Sequence, residues 1–145
     1  MSAQMTIDQL FALDQQCFPD YWSKPQWQTY LSQTDRFPCY TLFDGNEPIG
    51  FAIYQTLLDE IELLRIGILP DRRGQGWATR MLTDHLEQFA GDEVSRLLLE
   101  VRASNEAAIR LYQTVGFIKE GVRKNYYPLL DQGGREDAIL MSRSV

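Results

Sequence analysis

Arg72-Arg73-Gly74-Gln75-Gly76-Trp77-Ala78 is the stretch on which the reading of the whole chain turns. Before it runs an Ile- and Leu-rich segment, Glu60 to Leu69, closed by Pro70. After it, from Trp77 to Phe89, the apolar residues Ala78, Met81, Leu82, His85 or Leu86, and Phe89 fall at helical spacing. The first segment predicts a strand and the second a helix, so the glycines form a strand-to-helix turn. Glycine lets the backbone approach a ligand closely, and the helix start offers unpaired N–H groups at the positive end of its dipole. Phosphate is the natural guest of such a turn, and Arg72 and Arg73 add charge beside it. Two common phosphate turns do not match. A dinucleotide fingerprint needs a small residue at its last position, where Thr79 stands, and should open near the first strand of its domain. A Walker loop needs Gly-Lys-Ser/Thr, which this stretch lacks.

Working outward, Arg96 to Val101 reads as a short strand with the near-continuous apolar run of a buried one. The unit from Glu60 to Val101 is then expected to be a right-handed crossover joining parallel strands. Ser104 is expected to cap a helix from Asn105 to about Thr114, with Gly116 as the left-handed residue after its end. Phe117 to Tyr127 and Asp137 to Ser142 read as two last strands, joined through Gly133-Gly134. Upstream, Ile7, Leu10, Phe11 and Leu13 mark a helix from Thr6 to Gln16. Ser23-Lys24-Pro25-Gln26 reads as a capping box opening a second helix that runs to about Leu31. Cys39 to Phe43 and Ile49 to Leu58 read as a hairpin around Asp44-Gly45-Asn46. No repeat, low-complexity tract or linker divides the chain. The prediction is one α/β domain, residues 1–145, with a mixed sheet.

Bulk properties narrow the function classes. A chain of 145 residues, 44% apolar and 23% charged, can bury a core without a metal or disulfide. A net charge of -6 disfavours nucleic-acid binding through phosphate neutralisation and favours a basic partner such as a basic peptide tail. Cys17 and Cys39 are too far apart for a C-x-x-C pattern, so two free thiols in a reducing compartment are expected. No basic leader with an apolar stretch is visible, and no apolar run approaches the roughly 18 residues of a membrane span. A cytoplasmic protein without membrane contact is expected. His85 is the only histidine and reads as a helix-surface or core-edge residue. No cluster of His, Cys and acids suggests a metal.

Leu99-Glu100-Val101-Arg102-Ala103-Ser104-Asn105 is followed by Ala107, Ala108, Leu111-Tyr112 and Gly116-Phe117. Together with Arg73, Gly76 and Ala78, this resembles the GNAT superfamily of N-acetyltransferases, whose pyrophosphate loop reads Gln/Arg-x-x-Gly-x-Gly/Ala. Lys124-Asn125-Tyr126-Tyr127-Pro128 and Gly134-Arg135-Glu136-Asp137-Ala138 are further similar to the RimI-type alanine N-acetyltransferases of bacteria. The resemblance covers nearly the whole chain, strongest from Ile66 to Met141 and weak before Ile49. It implies a single acyl-CoA N-acyltransferase domain. The mixed central sheet would be splayed between the strands ending near Leu69 and Val101 to admit acetyl-CoA, and flanked by helices. The acceptor it implies is a protein α-amine, the N-terminal alanine of the eighteenth small-subunit ribosomal protein, which is a basic partner. A small amine, a lysine side chain, or a CoA-holding module without turnover stand as the alternatives.

The resemblance also implies roles. Glu100, at a strand end, would take the proton that the substrate ammonium must lose before attack. The plain alternatives are a Glu that pairs with Arg102 or caps the next helix, and Glu62 on the preceding strand is the rival base. Tyr112 would donate to the leaving thiolate, since a phenol titrating near ~10 keeps its proton at neutral pH; the alternative is a core aromatic. Asn105 would hydrogen-bond the pantetheine arm, or serve helix entry beside Ser104, or both. Ile66, Gly67 and Ile68 would present backbone groups to the pantetheine amides. A strand amide there would also meet the charge developing on the carbonyl oxygen. Gly67 inside an apolar strand reads as a bulge or a close backbone approach. Arg72, Arg73, Gly74, Gln75, Gly76, Trp77 and Ala78 would hold the pyrophosphate. Tyr126 and Tyr127 would line the acceptor side, facing Arg135, Glu136 and Asp137, or simply form a half-buried hairpin. Phe18-Pro19-Asp20-Tyr21-Trp22-Ser23 resembles the family's Phe-Pro-Trp-Ser segment, which shapes the acceptor pocket, but carries extra residues.

Overall fold

Thr6 and Ser23 each open a helix by the same local chemistry. The hydroxyl of Thr6 accepts from the Gln9 N–H at 3.1 Å, and the Gln9 carboxamide accepts from the Thr6 N–H at 2.8 Å. Ser23 and Gln26 repeat the exchange at 3.2 and 2.8 Å. Both are capping boxes, which satisfy N–H groups that a helix start leaves unpaired. They begin α1 (Ile7–Cys17) and α2 (Lys24–Leu31). The structure, a computed structural model, describes residues 5–129 and 133–145.

Six strands follow: β1 (Cys39–Asp44), β2 (Glu47–Leu57), β3 (Glu60–Ile68), β4 (Arg96–Arg102), β5 (Ile118–Pro128) and β6 (Arg135–Ser144). They form one open mixed sheet in the order β1-β2-β3-β4-β6-β5, with β1 and β5 as its edges. A 3-10 turn, Pro70–Arg72, and helix α3 (Trp77–Gly91) connect β3 to β4; α4 (Glu106–Thr114) connects β4 to β5. The predicted parallel pairing of β3 with β4 is present, with rungs from Glu60↔Arg96 to Leu63↔Leu99. The β1/β2, β4/β6 and β5/β6 pairs are antiparallel.

The chain forms two compact units, Met1–Thr56 with Leu64–Ala78, and Leu57–Leu63 with Thr79–Val145. The core of the first gathers Leu10, Leu13, Trp27, Phe37, Ile49, Phe51, Ile53 and Leu69. Trp27 lies edge-on to Phe51 at 5.3 Å and beside Trp22 at 5.0 Å. β2 is buried without a break from Ile49 to Tyr54, as a strand covered on both faces must be. Gly50 is forced by this packing: a Cβ there would lie 2.7 Å from both the Gly67 carbonyl and the Ile68 side chain.

In the second unit, α3 buries Met81, Leu82, His85, Leu86 and Phe89, the stripe expected from the sequence. β4 departs from expectation. It does not lie buried on both faces; Leu97, Leu99 and Val101 are buried, while Leu98, Glu100 and Arg102 are half-exposed. The start of α4 also differs. Its cap is Asn105, whose carboxamide oxygen accepts from the Ala108 N–H at 3.2 Å, and not Ser104. Gly116 does take the left-handed conformation, at φ 102°.

Candidate functional site

The glycine turn belongs to the first unit. Gly74 and Gly76 have φ of 74° and 86°, and no atom lies within 4 Å of the place a Cβ would take at either. Glycine is therefore needed for backbone conformation, and that side of the turn is open. Arg73 is a latch: its Nε donates to the Ile68 carbonyl at 3.0 Å and its Nη2 to the Cys17 carbonyl at 2.9 Å. Carbonyls carry no net charge, so the positive charge of Arg73 stays beside the turn. Arg72 bridges Asp44 and Glu47, which offset its charge. Gln75 donates to the Asp71 carbonyl at 3.2 Å and accepts from the Trp77 indole at 3.4 Å, closing the turn on itself. Ala78 lies in the first turn of α3. Open glycines, a helix start and an arginine that pairs with no acid among the described residues suit a pyrophosphate.

On β3, Gly67 has a different cause from the one its sequence suggested. A Cβ there would lie 2.9 Å from the Phe51 ring and 3.0 Å from the Phe18 ring. The glycine makes room for two core rings, so it carries no argument for a ligand. Ile66 is half-buried and Ile68 buried.

The segment Phe18–Ser23 hangs on one carboxylate that belongs to none of the motifs. Asp14 is fully buried. It accepts from the Trp22 N–H at 2.8 Å, from the Trp27 indole at 3.0 Å and from Arg65 at 3.3 Å. Burial pushes its carboxyl above the ordinary 3.8, against the pull of these donors. Arg65 also donates to the Asp20 carbonyl at 3.0 Å, and its guanidinium lies 4.5 Å from the Phe18 ring and 4.8 Å from the Trp22 ring. One signal was available: Leu10, Leu13, Asp14 and Cys17 share helical spacing, so an acid stood on the apolar face.

The second unit assembles the chemistry-bearing side chains on one sheet face. Glu62 pairs in register with Leu98, and Glu100 follows two residues later on the same side. Glu100 pairs with Leu140, and Arg102 and Arg123 both pair with Ala138, which brings all three to that face. The Arg123 Nε lies 3.1 Å from Glu100 Oε1 in an ion pair; the Glu100 side chain is 17% exposed and that of Arg123 55%. Arg102 instead pairs with Glu136 at 3.5 Å and donates to the Pro128 carbonyl at 2.8 Å. Glu136 accepts from the Ser104 N–H at 3.0 Å, which holds its carboxyl below the usual 4.5. Burial raises the Glu62 carboxyl above 4.5, the charge of Glu100 adds to this, and Arg123 opposes it.

Tyr126 and Tyr127 follow an irregularity in β5, where the register shifts between Arg123 and Tyr127. Asn125 has a left-handed φ of 52° there, a conformation asparagine tolerates better than most residues other than glycine. Three bonds from β6 hold it: the Asn125 N–H donates to Asp137 at 2.9 Å, and Arg135 donates to the Asn125 and Tyr126 carbonyls at 2.8 and 2.6 Å. The tyrosine rings meet edge to face at 4.9 Å. Arg102 lies 4.6 Å over Tyr127, and Arg123 lies 5.2 Å over Tyr126. Burial, with Glu100 adding, pushes the Tyr127 phenol up to about 12. Tyr112 is buried, edge-on to Phe117 at 5.7 Å, and burial drives its phenol well above the ordinary 10, with Tyr127 adding. Both phenols therefore hold their protons at neutral pH. Asn105 spends its oxygen on the helix cap, leaving its NH2 as the group it can offer.

Among the described residues no group of His, Cys, Asp and Glu could hold a metal, and no helix is long and apolar enough to cross a membrane. Cys17 and Cys39 are free, and burial pushes their thiols to about 11 and about 12.

The acetyltransferase (GNAT) family model matches residues 7–117. The [ribosomal protein bS18]-alanine N-acetyltransferase of Escherichia coli strain K12 is 38% identical over 93% of this chain and 88% of its own length. The Haemophilus influenzae protein of the same name is 39% identical over 94% of this chain and 90% of its own. The crystal structure of the E. coli ribosomal-protein-S18-alanine N-acetyltransferase superposes with a TM-score of 0.90 at 35% identity, over 99% of this chain and 92% of that one. A Bacillus subtilis acetyltransferase in complex with CoA, 16% identical, shares the fold at a TM-score of 0.78 over 99% of this chain and 95% of that one. Matched across most of its length by the family model and by these relatives, the chain belongs to the acetyltransferase (GNAT) family, for which acetyl-CoA is the cosubstrate.

Proposed function

We propose that the protein transfers the acetyl group of acetyl-CoA to the α-amine of an N-terminal alanine, that of ribosomal protein bS18. The observation that carries this is its 38% identity, over 93% of the chain, to a bS18-alanine N-acetyltransferase. A ribosomal protein is basic, which suits a chain of net charge -6. With a ribosomal acceptor, the working compartment is the cytoplasm.

Acetyl-CoA supplies the activated thioester. The N–H groups of Gly74 to Ala78, with the charge of Arg73, take its pyrophosphate; Arg72 acts through the Asp44–Glu47 bridge that braces the turn. The backbone of Ile66, Gly67 and Ile68 takes the pantetheine amides, and the Asn105 NH2 donates to a pantetheine carbonyl. Glu100 accepts the proton of the substrate's α-ammonium, directly or through a water. Glu62, raised by burial on the same face, is the second carboxylate of that pair. Tyr112 gives its proton to the departing sulfur. Tyr126 and Tyr127 line the entry of the peptide N-terminus. The residues act by holding amine and thioester together, so the enzyme needs no covalent intermediate.

Mass spectrometry on two peptides tests the acceptor. One begins with a free Ala; the other is blocked at its N-terminus and carries an internal Lys. The expected result is one acetyl group on the first peptide alone. Modification of the Lys peptide alone overturns the α-amine assignment. Modification of neither turns the reading toward a small amine or a CoA-holding module.

A further inference from the structure

Arg123 stood outside the motifs, yet its guanidinium is the cation that the sheet face brings to the carboxylates. Its Nε lies 3.1 Å from Glu100, and its Cζ sits 5.2 Å over the Tyr126 ring. β5 is an edge strand, and Arg123 is the last residue before the register shift that carries Tyr126 and Tyr127. Among the described residues, the charged and titratable groups on this face are Glu62 from β3, Glu100 and Arg102 from β4, Arg123 and Tyr127 from β5, and Glu136 from β6, with Tyr126 under Arg123. Tyr112 of α4 interacts with Tyr127. Arg102 is engaged with Glu136 and the Pro128 carbonyl, and both phenols are neutral. Arg123 lies beside Glu100, and its charge also acts on Glu62.

We propose that Arg123 is a positioning residue for the proposed base: seated over Tyr126, it holds the Glu100 carboxylate and opposes the like charge of Glu62 on the same face. This rests on the proposed reading of Glu100. Two carboxylates sharing a site resist ionising together, and a cation within hydrogen-bond distance opposes that resistance. With Arg123 in place the pair stays ready to accept a proton from the α-ammonium at neutral pH. Without it, the pair holds a proton to higher pH, and the fraction of enzyme able to act as base falls.

The test compares Arg123→Gln with Arg123→Lys in the full-length protein. Two readouts are taken: the pH profile of kcat/KM with the Ala-starting peptide, and carbon-13 NMR titration of the glutamate carboxyls, which needs no turnover. In Arg123→Gln both the acid limb and the titration of the pair move up by about one pH unit. Arg123→Lys, which keeps the charge, brings both most of the way back. If neither moves in Arg123→Gln, or if Lys shifts them as far as Gln does, the proposal is overturned. The pH profile of Glu100→Gln separates the two ideas. If it keeps the acid limb while the NMR titration still moves in Arg123→Gln, Glu100 is not the base, and the electrostatic role of Arg123 stands.

Discussion

Glu100 stands between a like charge and an opposite one, with Glu62 raised beside it and Arg123 ion-paired at 3.1 Å. The sequence offered Arg102 or the next helix as its plain partners. Arg102 is engaged with Glu136 and the Pro128 carbonyl, and Asn105 caps α4. Replacing Glu100 by Gln keeps the size and hydrogen bonding of the side chain and removes its basicity. We expect kcat to fall by about 10² to 10⁴, the span of a general base, with thermal unfolding little changed. Steady-state kinetics at saturating acetyl-CoA would measure it. A loss of only a few-fold would move the role to Glu62, and Glu62→Gln would then show the larger loss.

At the scale of elements, α1, α2 and β3 meet on one buried carboxylate. Asp14 binds the Trp22 backbone, the Trp27 indole and Arg65, whose side chain is 13% exposed. Truncating Asp14 to Ala leaves two N–H donors without their acceptor and, among the described residues, Arg65 with only Asp20 as its anionic partner. Breaking a buried pair by removing one partner costs about 3–5 kcal/mol. Urea denaturation of Asp14→Ala should show a loss of that order, and a loss below about 1 kcal/mol would mean water or a neighbouring carbonyl replaces the carboxylate. The helix caps were legible beforehand, because Ser23 and Gln26 stand three residues apart. The Asp14–Arg65 pair was not, because 51 residues separate its members. Gly67 shows the same limit: its place in an apolar strand was visible, and the Phe18 and Phe51 rings that require it were not.

For the molecule as a whole, folding traps its single histidine without charge. Burial lowers His85 from 6.5 to about 4, and Asp84 opposes this only partly. Between those values the unfolded chain binds a proton that the folded chain does not. The stability this group contributes is therefore fully present above pH 6.5 and lost as the pH falls through about 4. One proton corresponds to a slope of about 1.4 kcal/mol per pH unit. In His85→Leu, which keeps the position apolar, unfolding free energies from urea denaturation across this window should fall with acid less steeply by up to that amount. An unchanged slope would mean His85 is charged in the folded state. The two cysteine thiols, raised to about 11 and about 12, add no titration in this window.

What the sequence determined by itself is what a few neighbouring residues can specify. Ser23 with Gln26 starts α2; Gly74 and Gly76 adopt positive φ ahead of α3; the apolar spacing of α3 selects its buried stripe; the order of strands and helices and the family follow from such local patterns. Tertiary structure decided what depends on residues far apart in the chain. It gave Glu100 its cation from β5, made Asn105 rather than Ser104 the cap of α4, and turned one face of β4 outward. It also tied Arg73 to the Ile68 and Cys17 carbonyls, and held the Asn125 bend from β6. The physical reason is range. Capping and backbone preference act within a turn of chain, whereas an ion pair or a crowded α-carbon exists only once strands and helices have brought distant residues together.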